Sequence, residues 1–125
     1  MRKIIKTENA PAAIGPYSQG VAANGFVFVS GQLPINPAIK ELIKGDIKSA
    51  AKQALENVDA ILKEAGTCLC KAVKINIYMI NPEDFPLVNE VYKGFFESDA
   101  PARACVFVSA LPMGAEIEIE CVAEI

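Results

Sequence analysis

The sequence predicts an α+β fold, a mostly antiparallel sheet with two helices on one face. Two patterns carry that prediction. Apolar residues recur at steps of three and four over 47–65 and again over 88–96, whereas they alternate at steps of two over 73–79, 104–108 and 117–123. The segments follow one another as β-β-α-β-α-β-β, which sets two helices beside a mostly antiparallel sheet. A chain of 125 residues and 13.4 kDa accommodates a single core, so residues 1–125 are read as one domain.

Each element has its own signal. Phe26-Val27-Phe28-Val29-Ser30 is a β-rich apolar run preceded by Asn24-Gly25, a hairpin turn signal, and it should pair with the segment 17–23. The following Gly31-Gln32-Leu33-Pro34 puts a glycine at the strand end, where a ligand can approach the backbone, and a proline that ends the ladder. Asp46 is placed to cap a helix whose apolar stripe runs from Ile47 through Ala50, Ala54, Val58 and Ile61 to Ala65, with Gly66 as its stop. Val73, Ile75, Ile77 and Met79 alternate with Lys74, Asn76 and Tyr78 as in a strand buried on one face. Asn81-Pro82 and Asp84 mark entry to a second helix, in which Pro86 is tolerable only in the first turn and Val88, Val91, Tyr92, Phe95 and Phe96 form the apolar side. Pro101 holds Ala100 extended ahead of another strand around Arg103–Ser109. In the last strand Ile117, Ile119, Cys121 and Ala123 share one face, and Glu116, Glu118 and Glu120 the other.

Composition narrows the chemistry. Hydrophobic residues make up 52% and charged residues 22%, too apolar for a disordered chain. The net charge of −3, with no basic run, gives no footprint for a nucleic-acid partner. Zero histidines remove Ser-His and Cys-His nucleophile pairs and imidazole acid–base catalysis together. The four cysteines at 68, 70, 105 and 121 include no Cys-x-x-Cys pair, and no secretory leader precedes them, so they are read as reduced thiols of a cytoplasmic protein. Cys68-x-Cys70 is tighter than a usual zinc pair, and no metal is expected. No run of eighteen apolar residues spans a membrane. A mean hydropathy of +0.29 is high for so small a chain, and a homo-oligomer is expected to cover part of that apolar surface.

A few side chains stand out as chemically capable. Arg103 opens an apolar strand, where a permanent cation needs an anion nearby. Its planar fork matches the carboxylate of a small organic acid, and from composition alone an internal salt bridge to Glu118 or Glu120 is the reading to prefer. A desolvated Glu118 would serve in proton handling, although three glutamates on one strand face also read as a solvated edge. Tyr17 lies in the tight loop Ile14-Gly15-Pro16-Tyr17-Ser18-Gln19-Gly20, and Ser30 and Cys105 supply a hydroxyl and a thiol that lack an imidazole base.

Gly15-Pro16-Tyr17-Ser18-Gln19-Gly20, Ser30-Gly31-Gln32-Leu33-Pro34, Val88-Asn89-Glu90-Val91-Tyr92, Pro101-Ala102-Arg103 and Ile117-Glu118-Ile119-Glu120 together resemble the RidA (YjgF) family of reactive intermediate deaminases, over essentially the whole chain. The resemblance implies a chorismate-mutase-like subunit, a homotrimer with sites in the clefts between subunits, and no metal or organic cofactor. It implies hydrolysis of 2-imino acids, formed from enamines such as 2-aminoacrylate, to 2-oxo acids and ammonia. Arg103, with the backbone N–H of Gly31, would bind the substrate carboxylate. Glu118 and the backbone at Cys105 would orient the attacking water, with Tyr17, Ser30 and Asn89 lining the cleft. The segment 36–42 lacks the family's common Thr-Gly turn, and Ala50 stands where a glutamine is frequent. A non-catalytic trimer that binds 2-oxo acids, and an endoribonuclease, are the alternative functions.

Overall fold

A computed structural model describes residues 1–125. Asn24 and Gly25, with φ of 53° and 82°, close a two-residue turn between β2 (Gly20–Ala23) and β3 (Phe26–Gln32). Positive φ at both positions matches the twist of paired strands, and asparagine and glycine are the residues that adopt it most readily. A short β1 (Lys3–Ile5) extends this hairpin on its outer side. Three residues carry too little alternation to reveal a strand, so the sequence pattern missed it.

The sheet runs β1-β2-β3-β8-β6-β7, where β6 is Ala72–Met79, β7 is Ala102–Phe107 and β8 is Ile117–Glu124. All neighbours are antiparallel except β6 and β7, which pair in parallel with Ile75 opposite Arg103 and Ile77 opposite Cys105. A parallel pair needs a crossover, and α2 (Phe85–Phe95) supplies it. A separate ribbon of β4 (Ile35–Asn36) and β5 (Glu41–Leu42) occupies the atypical 36–42 segment. Its turn is closed by the Lys40 N–H donating to the Asn36 carbonyl at 2.7 Å, and Lys40, not a glycine, takes the positive φ of 59°.

Both helices cover one face of the sheet. Asp46 caps α1 (Ile47–Glu64) by accepting from the Ser49 N–H, and its stripe of Ala50, Ala51, Ala54, Leu55, Val58, Ile61 and Leu62 is buried. It packs on Val27, Val29, Ile75, Ile77, Ile117, Ile119, Cys121 and Ala123, with Val88 and Tyr92 of α2 completing the core. Full burial of each large apolar side chain contributes roughly 1.5–3 kcal/mol. The opposite face is uncovered and carries Phe28 and Val106, 48% and 44% exposed, together with Tyr78, Glu118 and Glu120.

One expectation needs correction. Cys68 and Cys70 are joined by a disulfide, leaving only Cys105 and Cys121 as free thiols. The tight turn after α1 brings their Cα atoms to 5.1 Å while Leu69 between them is buried. Arg103 is exposed in the single chain, because β7 is an edge strand. No helix is long and apolar enough to cross a membrane.

Candidate functional site

The chemically capable residues fall into two groups on opposite faces of the sheet. The first lies at the β7 edge, on the helix side. Arg103 donates from Nη1 to Asn89 Oδ1 of α2 at 2.9 Å. Its Cζ sits 4.7 Å from the Tyr92 ring centre and 5.6 Å from that of Phe85. The guanidinium forms no ion pair; the salt bridges of the chain are Lys48–Glu90 and Lys63–Asp59. The internal pairing to Glu118 or Glu120 weighed from sequence is therefore not made. Two residues along β7, the Cys105 Sγ meets Met79 Sδ at 3.8 Å. Burial pushes this thiol up, partly opposed by the Arg103 charge, so it stays protonated at neutral pH and is a poor nucleophile.

The second group lies on the uncovered face. Between Val29 and Gln32 the register of β3 against β8 slips by one residue, so that Ser30 and Gly31 form a bulge beside Glu118. A Cβ on Gly31 would overlap the Glu118 carboxylate, so only glycine permits this approach. Burial raises the Glu118 carboxyl above the ordinary range, and the neighbouring charge of Glu120 raises it further. Glu120 Oε2 is itself fixed, accepting from Tyr78 Oη at 2.8 Å and Asn76 Nδ2 at 3.0 Å. This pairing, together with burial, pushes the Tyr78 phenol up. A depression of about 220 Å³ opens beside it, lined in part by Phe28, Lys74, Asn76 and Glu120.

The Ser30 hydroxyl donates to the Ser18 carbonyl at 2.6 Å and so pins the 15–20 loop to the bulge. Buried Gln19 holds the same loop by donating to the carbonyls of Thr7, Ala10 and Pro11. Tyr17 stands on this loop, 53% exposed, with its Oη accepting from the Ile14 N–H at 3.4 Å. Ser30, Gly31, Glu118 and the Tyr17 loop thus form one cluster, and Arg103, Asn89 and Cys105 the other. The sequence reading did not assign Phe85 and Tyr92 to the arginine or Tyr78 and Asn76 to Glu120. The spacing 85, 89, 92 on one helix face was the available signal, obscured because aromatic residues at helical spacing also read as core.

The fold and these clusters define a two-layer α+β protein that presents an unpaired guanidinium at a sheet edge and a half-buried carboxylate on the open face. The family model described as Endoribonuclease L-PSP matches residues 7–125. The chain belongs to that family, the RidA/YjgF family. It is 48% identical over 123 residues, 98% of this chain and 90% of the relative, to the bovine protein named 2-iminobutanoate/2-iminopropanoate deaminase. Among solved structures it resembles a Rid family protein from Yersinia pestis, at 45% identity and a TM-score of 0.97 over 100% of both chains. It also resembles E. coli TdcF with bound serine, at 42% identity and a TM-score of 0.94 over 98% of both.

Proposed function

We propose that the protein hydrolyses 2-imino acids such as 2-iminobutanoate and 2-iminopropanoate to 2-oxo acids and ammonia, at sites completed between the subunits of a homotrimer. The observation that carries this reading is the Arg103 guanidinium, held on one side by Asn89 and free of any carboxylate of its own chain. Its remaining N–H donors suit a substrate carboxylate. The deaminase name of the bovine relative and the serine in TdcF, itself a small amino acid, support the substrate class.

An iminium carbon is already electrophilic, so catalysis consists mainly of holding the acid and a water in attack geometry. Glu118 in its ionised form takes a proton as the water oxygen bonds to the C=N carbon and the π electrons move to nitrogen. It returns that proton to the amine nitrogen. As the C–N bond breaks, the hydroxyl oxygen forms the carbonyl of the 2-oxo acid and gives its own proton back through Glu118 to the departing ammonia, which leaves as ammonium. The raised Glu118 carboxyl is suited to both steps. Because Arg103 and Glu118 occupy opposite faces in one chain, a second copy supplies the missing half of each site, and its docking covers the exposed Phe28 and Val106.

The test generates 2-iminobutanoate enzymatically in the presence of a trapping nucleophile and measures trapped adduct. Wild-type protein is expected to reduce the adduct and Arg103→Ala to leave it unchanged. Arg103→Lys should lose most of the activity, because an ammonium cannot reproduce the fork. Undiminished adduct with the wild-type protein, across several chain lengths, would overturn the reading in favour of binding without turnover.

A further inference from the structure

We propose that Tyr92 and Phe85 are positioning residues, aromatic jaws that fix the plane of the Arg103 guanidinium, so that α2 sets how the substrate's C=N bond faces the attacking water. The inference rests on the assignment of Arg103 as the carboxylate anchor. An arginine on an exposed edge strand carries a long flexible stem and would ordinarily sample many rotamers. Here three residues one helical turn apart, at 85, 89 and 92, converge on it: two rings at 5.6 and 4.7 Å and an amide oxygen at 2.9 Å.

The jaws are themselves braced. Phe85 meets Phe107 of β7 edge-on, with ring centres 6.4 Å apart, and Tyr92 packs on Phe96 at 4.6 Å. Tyr92 is only 6% exposed, so its ring is a fixed surface. Its hydroxyl is buried without a hydrogen-bond partner, so the ring face, not the phenol oxygen, makes the contact with the guanidinium. A carboxylate gripped by the fork lies in the guanidinium plane. In a 2-imino acid the carboxylate is conjugated with C=N, so fixing that plane also fixes the face of the imine carbon open to water.

The chain's arginines are Arg2 and Arg103, which makes side-chain NMR of the ¹⁵N-labelled full-length protein direct. The Arg103 Nε–H should exchange with water about tenfold more slowly than that of Arg2. Tyr92→Leu and Phe85→Leu should erase that difference, and Tyr92→Phe should preserve it. In the imine assay kcat/KM should fall about tenfold in both leucine variants and be restored by the phenylalanine. If Tyr92→Leu does not fold, Phe85→Leu at the half-buried jaw carries the test. Leucine variants with unchanged exchange and unchanged rate overturn the clamp, as does a Tyr92→Phe variant as impaired as Tyr92→Leu. Absence of wild-type turnover, with exchange still released by leucine, overturns imine hydrolysis and supports the clamp.

Discussion

Gly31 and the Glu118 carboxylate occupy adjoining space, and one methyl group would separate them. Gly31→Ala is therefore expected to displace the carboxylate and lower kcat/KM about a hundredfold with the circular dichroism spectrum unchanged, since a small misplacement of a catalytic group is enough. A variant with near-normal turnover would show that the close approach is incidental. Glu120 acts on the same carboxyl at one remove. In the proposed mechanism turnover requires ionised Glu118, so the rate should fall as pH drops through its raised value, which burial sets first and the Glu120 charge second. Glu120→Gln removes only the second cause. The acidic limb of the kcat/KM profile should move to lower pH without reaching that of an ordinary glutamate, and an unmoved limb would exclude the coupling. Asn89 followed only from the family resemblance, whereas Arg103 could be singled out in the sequence because a cation interrupts an apolar strand there, and Glu118 because it is the middle of three glutamates on one strand face. Phe85 and Tyr92 could not, because an aromatic side chain serving a cation and one filling a core have the same spacing.

Elements with long periodic patterns were legible: α1 from its stripe and cap, β6 and β8 from strict alternation. The short strands were not, since β1, β4 and β5 have two or three residues each, too few for alternation to register. The parallel pairing of β6 with β7 was equally hidden, because alternation reports which face is buried and not strand direction. Asn57 shows how the irregular stretch after β3 is held. Only 1% exposed on α1, it donates from Nδ2 to the carbonyls of Leu33 and Ile35 and accepts from Gln53 at 2.9 Å. Asn57→Ala strips those carbonyls of their donor and should lower stability by about 1–3 kcal/mol, read as a shift in the urea midpoint. A midpoint within error of wild type would mean that solvent replaces the amide at no cost.

At the scale of the whole molecule, the separation of the two clusters by a sheet makes a sharp statement about assembly. Native mass should be three times the 13.4 kDa of the chain. Arg103→Ala and Glu118→Gln, each inactive alone, should regain activity when unfolded and refolded together, because a mixed interface can pair an intact arginine with an intact glutamate. Random mixing of equal amounts restores about a quarter of the sites. No recovery would place both groups in one chain's site and sink the shared-cleft arrangement.

The position of β7 at the border of the sheet has a bearing on solubility as well as chemistry. Its sequence, Ala-Arg-Ala-Cys-Val-Phe, holds a single charge, and an outer row of backbone amides with so little protection invites strand-to-strand stacking between molecules. Arg103 is the one residue there that repels such stacking. The same guanidinium that would grip an anion also stands guard against polymerisation, so erosion of the ligand site would expose the chain to aggregation.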